Sequence, residues 1–393
     1  MNRRKKAWKW NILLMLALLI FTPNQALAKQ TAIQTTNQSL IETNAVSAIL
    51  VDVQSGRILY QKNIDQRMRI ASLTKIMTAI IAIEQGNLND TVKTSDRAFG
   101  VEGSSIYLKR GEKLSLENML YGLMLRSGND AAVAVAEHIG GSVEGFVYLM
   151  NEKAAYLGMN HSHFMNPHGL DHEQHYSTAR DMGILTAYAL KNPVFKQIVS
   201  TKVKTAPLEG EKWDRKWTNK NKLLHMYPYA DGVKTGYTKL SKRTLASSAS
   251  KNEQQLAAIT LNDSNDWNDS IRLFEYGFSQ YIHQVIIEQN QPIEANQSIK
   301  EYKGFQLAAE SQFQYPLKEE EQKKITSKLE LNKPLSEKKF KSGQRVGYMK
   351  VYLAGDYIGS VPIQLLATKK ETSLSKKIFQ RINGVVDTFT KDN

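Results

Sequence analysis

Hydrophobic and polar positions alternate along this chain in patterns that predict its elements in turn. An apolar run from Ile12 to Phe21 comes first, and a polar stretch over residues 29–44, rich in Gln, Thr and Asn, reads as a spacer. Ala48 to Val53 and Arg57 to Gln61 are β-prone runs around Gln54-Ser55-Gly56, which predicts a hairpin. From Ser72 an apolar, helix-prone run continues to about Glu84 and stops at Gly86. Between about 87 and 225 the spacing is mostly helical, as in Leu116, Met119, Leu120 and Leu123, or Phe146, Leu149, Met150 and Ala154. Gly140-Gly141 ends one of those helices.

The period returns to strands at Gly232 to Thr238, Thr244 to Ser250 and Gln255 to Leu261, separated by polar turns as in an antiparallel meander. A helix follows, with Ser264 as its expected N-cap and Trp267, Ile271, Phe274 and Phe278 along one stripe. Strands at both ends with helices between them predict one sheet assembled from distant parts of the chain, with Ser72 where sheet and helical insert meet. After about residue 284 short alternating runs predict a small all-β domain: Gln284 to Glu288, Gly304 to Ala309, Ile325 to Leu331, Gly347 to Leu353 and Tyr357 to Pro362. The tail places Leu374, Ile378, Ile382, Val385, Val386 and Phe389 on one helical face beside Lys376, Lys377 and Arg381. Such a helix lies in a membrane interface or packs on the β domain.

Composition narrows the setting. A chain of 393 residues, 41% hydrophobic, is long enough for two or three domains with their own cores. Without cysteine it has no disulfide framework, thiolate nucleophile or Cys-based metal site. Arg3, Arg4, Lys5, Lys6 and Lys9 precede the first apolar run, and Ala26-Leu27-Ala28 follows it, the layout of a cleaved secretory signal. Read as an uncleaved membrane anchor, the same run is short for a span. Loss of those five cations takes the formal charge from +14 to +9, so an exported form stays basic. Its expected partners are anionic lipid head groups or wall polymers, not nucleic acid.

The candidate chemistry starts at Ser72. If Ser72 opens a helix, Lys75 lies one turn later on the same face, setting an amine beside a hydroxyl. Lysine serves as a base only if burial or a neighbouring cation makes its neutral form accessible near pH 7. Ser-x-x-Lys recurs at Ser248, Ser336 and Ser373, but only the pair at Ser72 begins a long apolar helix. Ser127-Gly128-Asn129 sits between two predicted helices, where Ser127 can relay a proton and Asn129 can hydrogen-bond a substrate amide. Alone, the tripeptide reads equally as a helix–helix turn. Lys234-Thr235-Gly236 opens the first strand after the insert, offering a fixed cation and a hydroxyl for a carboxylate, and no side chain at Gly236 to obstruct an extended peptide. Alone, it reads as a turn. The histidines at 161, 163, 168, 172 and 175 lack helical His-Glu-x-x-His spacing and predict loop residues rather than a metal site, with His168 helping to shape the cleft floor.

The three motifs, in this order on helix, loop and strand, match the set of penicillin-binding proteins and related β-lactamases. The chain closely resembles the low-molecular-weight penicillin-binding proteins that act as serine-type D-alanyl-D-alanine carboxypeptidases. The likeness runs from about Ala45 to the tail and includes Gly103-Ser104-Ser105, Arg126-Ser127-Gly128-Asn129-Asp130-Ala131, His168-Gly169-Leu170-Asp171 and Ser177-Thr178-Ala179-Arg180-Asp181.

The resemblance implies an α+β chain: signal peptide 1–28, polar spacer 29–44, a β-lactamase/transpeptidase-like domain 45–283 (antiparallel sheet with inserted helical region), a β-rich domain 284–366 and a C-terminal amphipathic membrane-anchor helix 367–393. It implies Ser72 as the acylated nucleophile, Lys75 as its base, Ser127 as proton relay, and Lys234 with Thr235 as the carboxylate site. Asn129 and Gly236 join the substrate-binding set, and the backbone N–H groups of Ser72 and Tyr237 form the oxyanion hole. The implied reaction removes the terminal D-alanine of peptidoglycan stem pentapeptides at the outer face of the cytoplasmic membrane. β-Lactams inhibit it, and no metal or organic cofactor takes part. A D,D-transpeptidase or endopeptidase on the same fold, or a non-catalytic wall-binding protein, are the alternatives. No Glu-x-x-Leu-Asn lies between Ser127 and Lys234, which separates the chain from a class A β-lactamase. Where many relatives have a small Ala-Gly pair after the third motif, this chain has Ser241-Lys242-Arg243, placing bulk and charge beside the expected cleft.

Overall fold

The computed structural model describes residues 41–208, 210–294, 302, 304–332 and 340–367. The expected signal peptide, most of the polar spacer and the amphipathic tail helix lie outside the described residues.

The expected first hairpin is β1 (Ser47–Asp52) and β2 (Ile58–Lys62), joined through Gly56 at φ +73°. The meander is β7 (Ala230–Thr238), β8 (Lys242–Lys251) and β9 (Gln254–Leu261). They form one antiparallel sheet in the order β2-β1-β9-β8-β7, in which Ile49 of β1 pairs with Ile259 of β9. Every residue of β1 is buried, as expected for a strand covered on both faces. One cover is α5 (Ala179–Leu190), whose Gly183 lies against Ile49 and Val51. The opposite cover is α8 (Asp266–Gln280), whose Gly277 lies against Leu50 and Leu256. Alternate residues of β1 therefore feed two cores.

The insert supplies α1 (Thr74–Gln85), α2 (Leu116–Leu125), α3 (Asn129–Gly140), α4 (Val143–Tyr156), α5, α6 (Pro193–Ser200) and the short α7 (Leu223–Met226). Thr74 through Ala82 of α1 are all buried, so this helix is the axis of the insert. The starts of the others follow local chemistry. Ser115, Ser142 and Thr178 each accept a hydrogen bond from the backbone N–H three residues on, and Asn192 caps α6 ahead of Pro193. Gly141 ends α3 at φ +70°. Two small hairpins interrupt the helices, β3 (Thr91–Lys93) with β4 (Lys113–Ser115) and β5 (Val203–Ala206) with β6 (Arg215–Thr218). Their strands are too short to show a period.

The helix after β9 differs from its expectation. Its N-cap is Asn265, not Ser264, because the Asp263 carboxylate accepts the Asn265 N–H and closes the turn one residue later. Its buried face is Asp266, Asp269, Ser270, Leu273, Phe274 and Gly277, leaving Trp267, Ile271 and Phe278 half-buried at the margin.

The last region holds two sheets. β10 (Ile282–Ile287) pairs with β12 (Phe313–Leu317), and β11 (Phe305–Ala309), β15 (Asp356–Ala367), β14 (Arg345–Leu353) and β13 (Ile325–Leu331) form the second in that order. The sequence reading missed β12, whose Pro316 suits a two-stranded edge pairing. At the junction the His283 Nε2 and an Asp52 carboxylate oxygen are 2.6 Å apart. The Arg57 guanidinium pairs with Glu321 at 2.5 Å and lies over the rings of Tyr281 and Tyr315.

Candidate active site

Ser72 stands in a 3-10 turn, Ala71–Leu73, that leads directly into α1. The turn is forced rather than relaxed, since Ala71 has φ +48°. Several contacts hold it there. Thr74 Oγ1 donates to the Ala71 carbonyl at 2.8 Å, and Thr244 Oγ1 donates to the Ile70 carbonyl at 3.2 Å. Gly169 packs so closely that a Cβ on it would stand 1.9 Å from the Ala71 oxygen. His175 completes the support: its Nδ1 accepts the Met165 N–H, so its proton sits on Nε2 and is donated to Thr74 Oγ1 at 2.8 Å. Burial pushes the His175 imidazole down to about 3, which keeps it neutral in this role.

Lys75, fully buried, places Nζ 3.0 Å from Ser72 Oγ, 2.7 Å from Asn129 Oδ1 and 2.6 Å from the His168 carbonyl oxygen. A neutral amine has two N–H bonds and one lone pair. The amide and carbonyl oxygens can only accept, so they take the two N–H bonds and leave the lone pair for the Ser72 hydroxyl proton. Burial, then the charges of Lys234 and Lys220, hold the Lys75 amine well below its ordinary range, against an opposing pull from Asp130.

The second motif lies at the α2–α3 junction. Ser127 is at φ +65° with a buried Oγ that has no hydrogen-bond partner, a hydroxyl with capacity left for a reacting group. Asn129 is the first residue of α3, and its amide is engaged at both ends, Oδ1 by Lys75 and Nδ2 at 2.6 Å from the Glu102 carbonyl. It is thus a support beneath Lys75. Asp130 ties down the facing loop, accepting from Ser105 Oγ at 2.6 Å and from the backbone N–H groups of Ile106 and Leu108 at 3.1 Å.

The third motif is on β7, the sheet edge nearest the Ser72 turn. Lys234 is buried and donates to the Thr235 carbonyl at 2.8 Å; burial and then Lys220 lower its amine to about 7. A Cβ on Gly236 would lie 2.4 Å from Thr244 Oγ1, 3.1 Å from Ser72 N and 3.2 Å from Ala71 Cβ. Glycine here admits the serine turn as well as leaving the strand edge clear.

Ser72, Ser104, Ser127, Lys220, Thr235, Gly236, Tyr237, Arg243, Asp266 and Trp267 line one cleft of about 390 Å³. Folding therefore gathers the three motifs, with Lys75, Asn129 and Lys234 as its buried underside. Tyr237 lines the cleft with its side chain exposed. Of Ser241-Lys242-Arg243, only Arg243 lines the cleft. Ser241 is buried in the β7–β8 turn, exchanging 2.9 Å bonds with Thr238, and Arg243 is held at 2.5 Å by Asp266 over the Trp267 ring. His168, expected to help shape the cleft floor, instead lines a separate cavity with Arg97, Val133 and Met165, while its carbonyl accepts from Lys75. Sequence reasoning missed Lys220, an exposed cation at the cleft whose Nζ donates to Ser104 Oγ at 3.2 Å. Nothing in the sequence around it marks Lys220 out from the chain's many other cations.

This geometry has matches elsewhere. The family model described as D-alanyl-D-alanine carboxypeptidase matches residues 32–265, more than half of the chain. The chain belongs to that family. A second model, described as penicillin-binding protein 5, C-terminal domain, matches residues 281–371. D-alanyl-D-alanine carboxypeptidase DacF of Bacillus subtilis is 34% identical over 367 residues, covering 90% of this chain and 92% of its own. Penicillin binding protein 5 from Haemophilus influenzae, a crystal structure, is 28% identical with TM-score 0.68, covering 85% of this chain and 99% of its own. A point mutant of the Streptomyces K15 DD-transpeptidase is 32% identical with TM-score 0.59, covering 61% of this chain and 99% of its own. The carboxypeptidase family thus accounts for both halves of the architecture, sheet-and-insert domain and β domain alike.

Proposed function

We propose that the cleft hydrolyses the terminal D-Ala-D-Ala bond of peptidoglycan stem pentapeptides through an acyl-enzyme on Ser72. The observation that carries this is the buried Lys75 amine, 3.0 Å from Ser72 Oγ with both its N–H bonds directed elsewhere. Lys75 accepts the Ser72 proton as Oγ attacks the carbonyl carbon of the penultimate residue. The oxyanion is held by the backbone N–H groups of Ser72 and Tyr237, which are fixed before the substrate arrives. The proton passes from Lys75 through Ser127 Oγ to the departing amine, the C–N bond breaks and D-alanine leaves. The substrate carboxylate faces Thr235 Oγ1 and the cations of Lys234 and Lys220. Water then gives a proton to Lys75 and attacks the ester; the proton returns to Ser72 Oγ and the shortened peptide is freed. No step draws on a metal or organic cofactor. A β-lactam enters the same path but leaves a slowly hydrolysed ester on Ser72.

The first 28 residues support export, and the tail supports attachment to the membrane surface, which puts the enzyme at the outer face of the cytoplasmic membrane beside its polymeric substrate. Among the described residues no helix is long and apolar enough to cross a membrane. Mass spectrometry after incubation with penicillin tests the reading: one adduct is expected on the Ser72 peptide, absent in Ser72→Ala, and an intact protein that takes no adduct overturns it. The likeness to a DD-transpeptidase keeps acyl transfer to an amine as a second outcome. Free D-alanine against cross-linked product from the same pentapeptide distinguishes the two.

A further inference from the structure

Beside the catalytic cleft lies a larger cavity, about 560 Å³, lined by Tyr107, Arg126, Trp213, Asp214, Lys216 and Thr218 among others. The two adjoin along the chain. Ser104 and Ser127 line the cleft while Ser105 and Arg126 line the cavity, and Lys220 in the cleft is two residues from Thr218 in the cavity.

The cavity presents two large aromatic rings to solvent. Tyr107 is 83% exposed and Trp213 is 65% exposed. Tyr107 also has φ +61°, a conformation that a tyrosine adopts reluctantly and a glycine freely. The loop is built to impose it: the N–H groups on either side of Tyr107 bond to the buried Asp130 carboxylate, and its own N–H bonds to Ser105 Oγ at 2.8 Å. A strained backbone that pushes an aromatic ring outward, where it covers no core, is a feature of a binding surface rather than of stability. Four cations border the same space, Lys109, Arg126, Arg215 and Lys216, with the carboxylates of Glu211 and Asp214; Lys109 pairs with Glu211 and Arg215 with Glu112. Arg126 donates to the Thr218 carbonyl at 3.3 Å, and no carboxylate among the described residues forms an ion pair with Arg126 or Lys216.

We infer that this cavity is a second substrate subsite that seats the glycan strand of peptidoglycan, with amino-sugar rings against Tyr107 and Trp213 and the carboxylates of attached peptides near Arg126. A pyranose offers an apolar C–H face that fits the electron-rich face of an aromatic ring, and the stem peptides are anionic. A free D-alanine leaving group is small and has no need of this space. The inference rests on the proposed function, since a glycan-bearing substrate is what the neighbouring cleft would act on.

The test compares pentapeptide-rich sacculi with a short acylated peptide ending in D-Ala-D-Ala, measuring D-alanine release by wild type, Tyr107→Gly, Trp213→Ala and the double variant Tyr107→Gly/Trp213→Ala. Tyr107→Gly relieves the φ constraint, so its thermal midpoint should hold or rise and misfolding does not cloud the result. The double variant is expected to raise KM for sacculi roughly tenfold while kcat/KM for the short peptide and the penicillin acylation rate stay within twofold. Equal losses on both substrates, or no loss on sacculi, would overturn the subsite. A wild-type protein that penicillin does not label would instead overturn the underlying function.

Discussion

Gly236 is the most informative single position, because a methyl group there has a calculable consequence. In Gly236→Ala the new Cβ would start 2.4 Å from Thr244 Oγ1, against an ordinary contact of roughly 3.5 Å, so β7 must retreat by roughly 1 Å. The retreat moves the Tyr237 N–H and Thr235 away from Ser72 together. A misplacement of ~1 Å at a reacting centre costs ~100-fold in rate, or ~2.7 kcal/mol of barrier, while overpacking lowers stability by ~1–3 kcal/mol. The assay is the second-order rate of acylation by a fluorescent penicillin, with thermal unfolding alongside. Thr244→Ala removes the worst contact and leaves those at 3.1 Å from Ser72 N and 3.2 Å from Ala71 Cβ, which a shift of a few tenths of an ångström relieves. The pair Gly236→Ala/Thr244→Ala should therefore recover to within ~10-fold of wild type. A folded Gly236→Ala that acylates at the wild-type rate refutes this account of the strand's position. Failure of the second substitution to rescue it, with the Thr244→Ala single variant showing that loss of its bond to the Ile70 carbonyl costs little, would show that the methyl group obstructs the ligand and not the turn.

In Asn129→Asp a carboxylate replaces the amide 2.7 Å from Lys75 Nζ and favours the charged amine, so the rising limb of the acylation pH profile should move up by ~1–3 units. Lys234, lowered to about 7, must be charged to receive a carboxylate, so kcat/KM should fall as pH rises through that value in the free enzyme. Lys234→Arg should carry this falling limb out of the neutral range, and an unmoved limb would assign it to another group. His168 and His175 both titrate at about 3 in the folded chain against an ordinary 6.5, so the unfolded state binds the extra protons and stability should fall as pH drops from about 6.5 toward 3. Each contributes up to ~1.4 kcal/mol per pH unit, and denaturant unfolding at pH 7 and pH 4.5 should show a gentler loss in His175→Gln. A pentapeptide whose C-terminus is a carboxamide should show a lower kcat as well as a higher KM, and steady-state kinetics that show a KM effect alone would contradict electrostatic coupling between the substrate carboxylate and Lys75.

What the sequence revealed depended on whether the signal was local. The hairpin at Gly56, the buried α1 and the meander from β7 to β9 were visible because their periods run over enough residues to be read. The motif positions were visible because spacing sets which residues share a helix face, as with Ser72 and Lys75. Contacts between distant segments were not. Asp263 shifting the α8 cap to Asn265, Asn129 turning inward to Lys75, and His175 orienting Thr74 from a hundred residues away each depend on the tertiary fold. Lys220 illustrates the same limit: one cation among many in a basic chain, it gains meaning only where it stands beside Ser104 and shifts both Lys75 and Lys234. Ser248 had the spacing of a site without a helix to carry it: it lies on β8 and bonds Asp231, while the serines at 336 and 373 lie outside the described residues.

The three lysines together suggest how recognition and reaction are linked. Burial first, and then the charges of Lys234 and Lys220, depress the Lys75 amine, which favours its neutral form. Lys75, once neutral, exerts no charge on Lys234, and among charged neighbours it is Lys220 that lowers Lys234. A substrate carboxylate settling beside Lys234 and Lys220 cancels much of the field that made Lys75 a weak base. Its basicity then rises while its lone pair already points at Ser72 Oγ, 3.0 Å away. On the proposed mechanism the carboxylate that identifies a chain end is thus also the charge that makes proton transfer favourable, and it acts in the bound complex rather than on encounter. A histidine base, neutral near pH 7 without help, would gain nothing from such an arrangement; a buried lysine between two cations does.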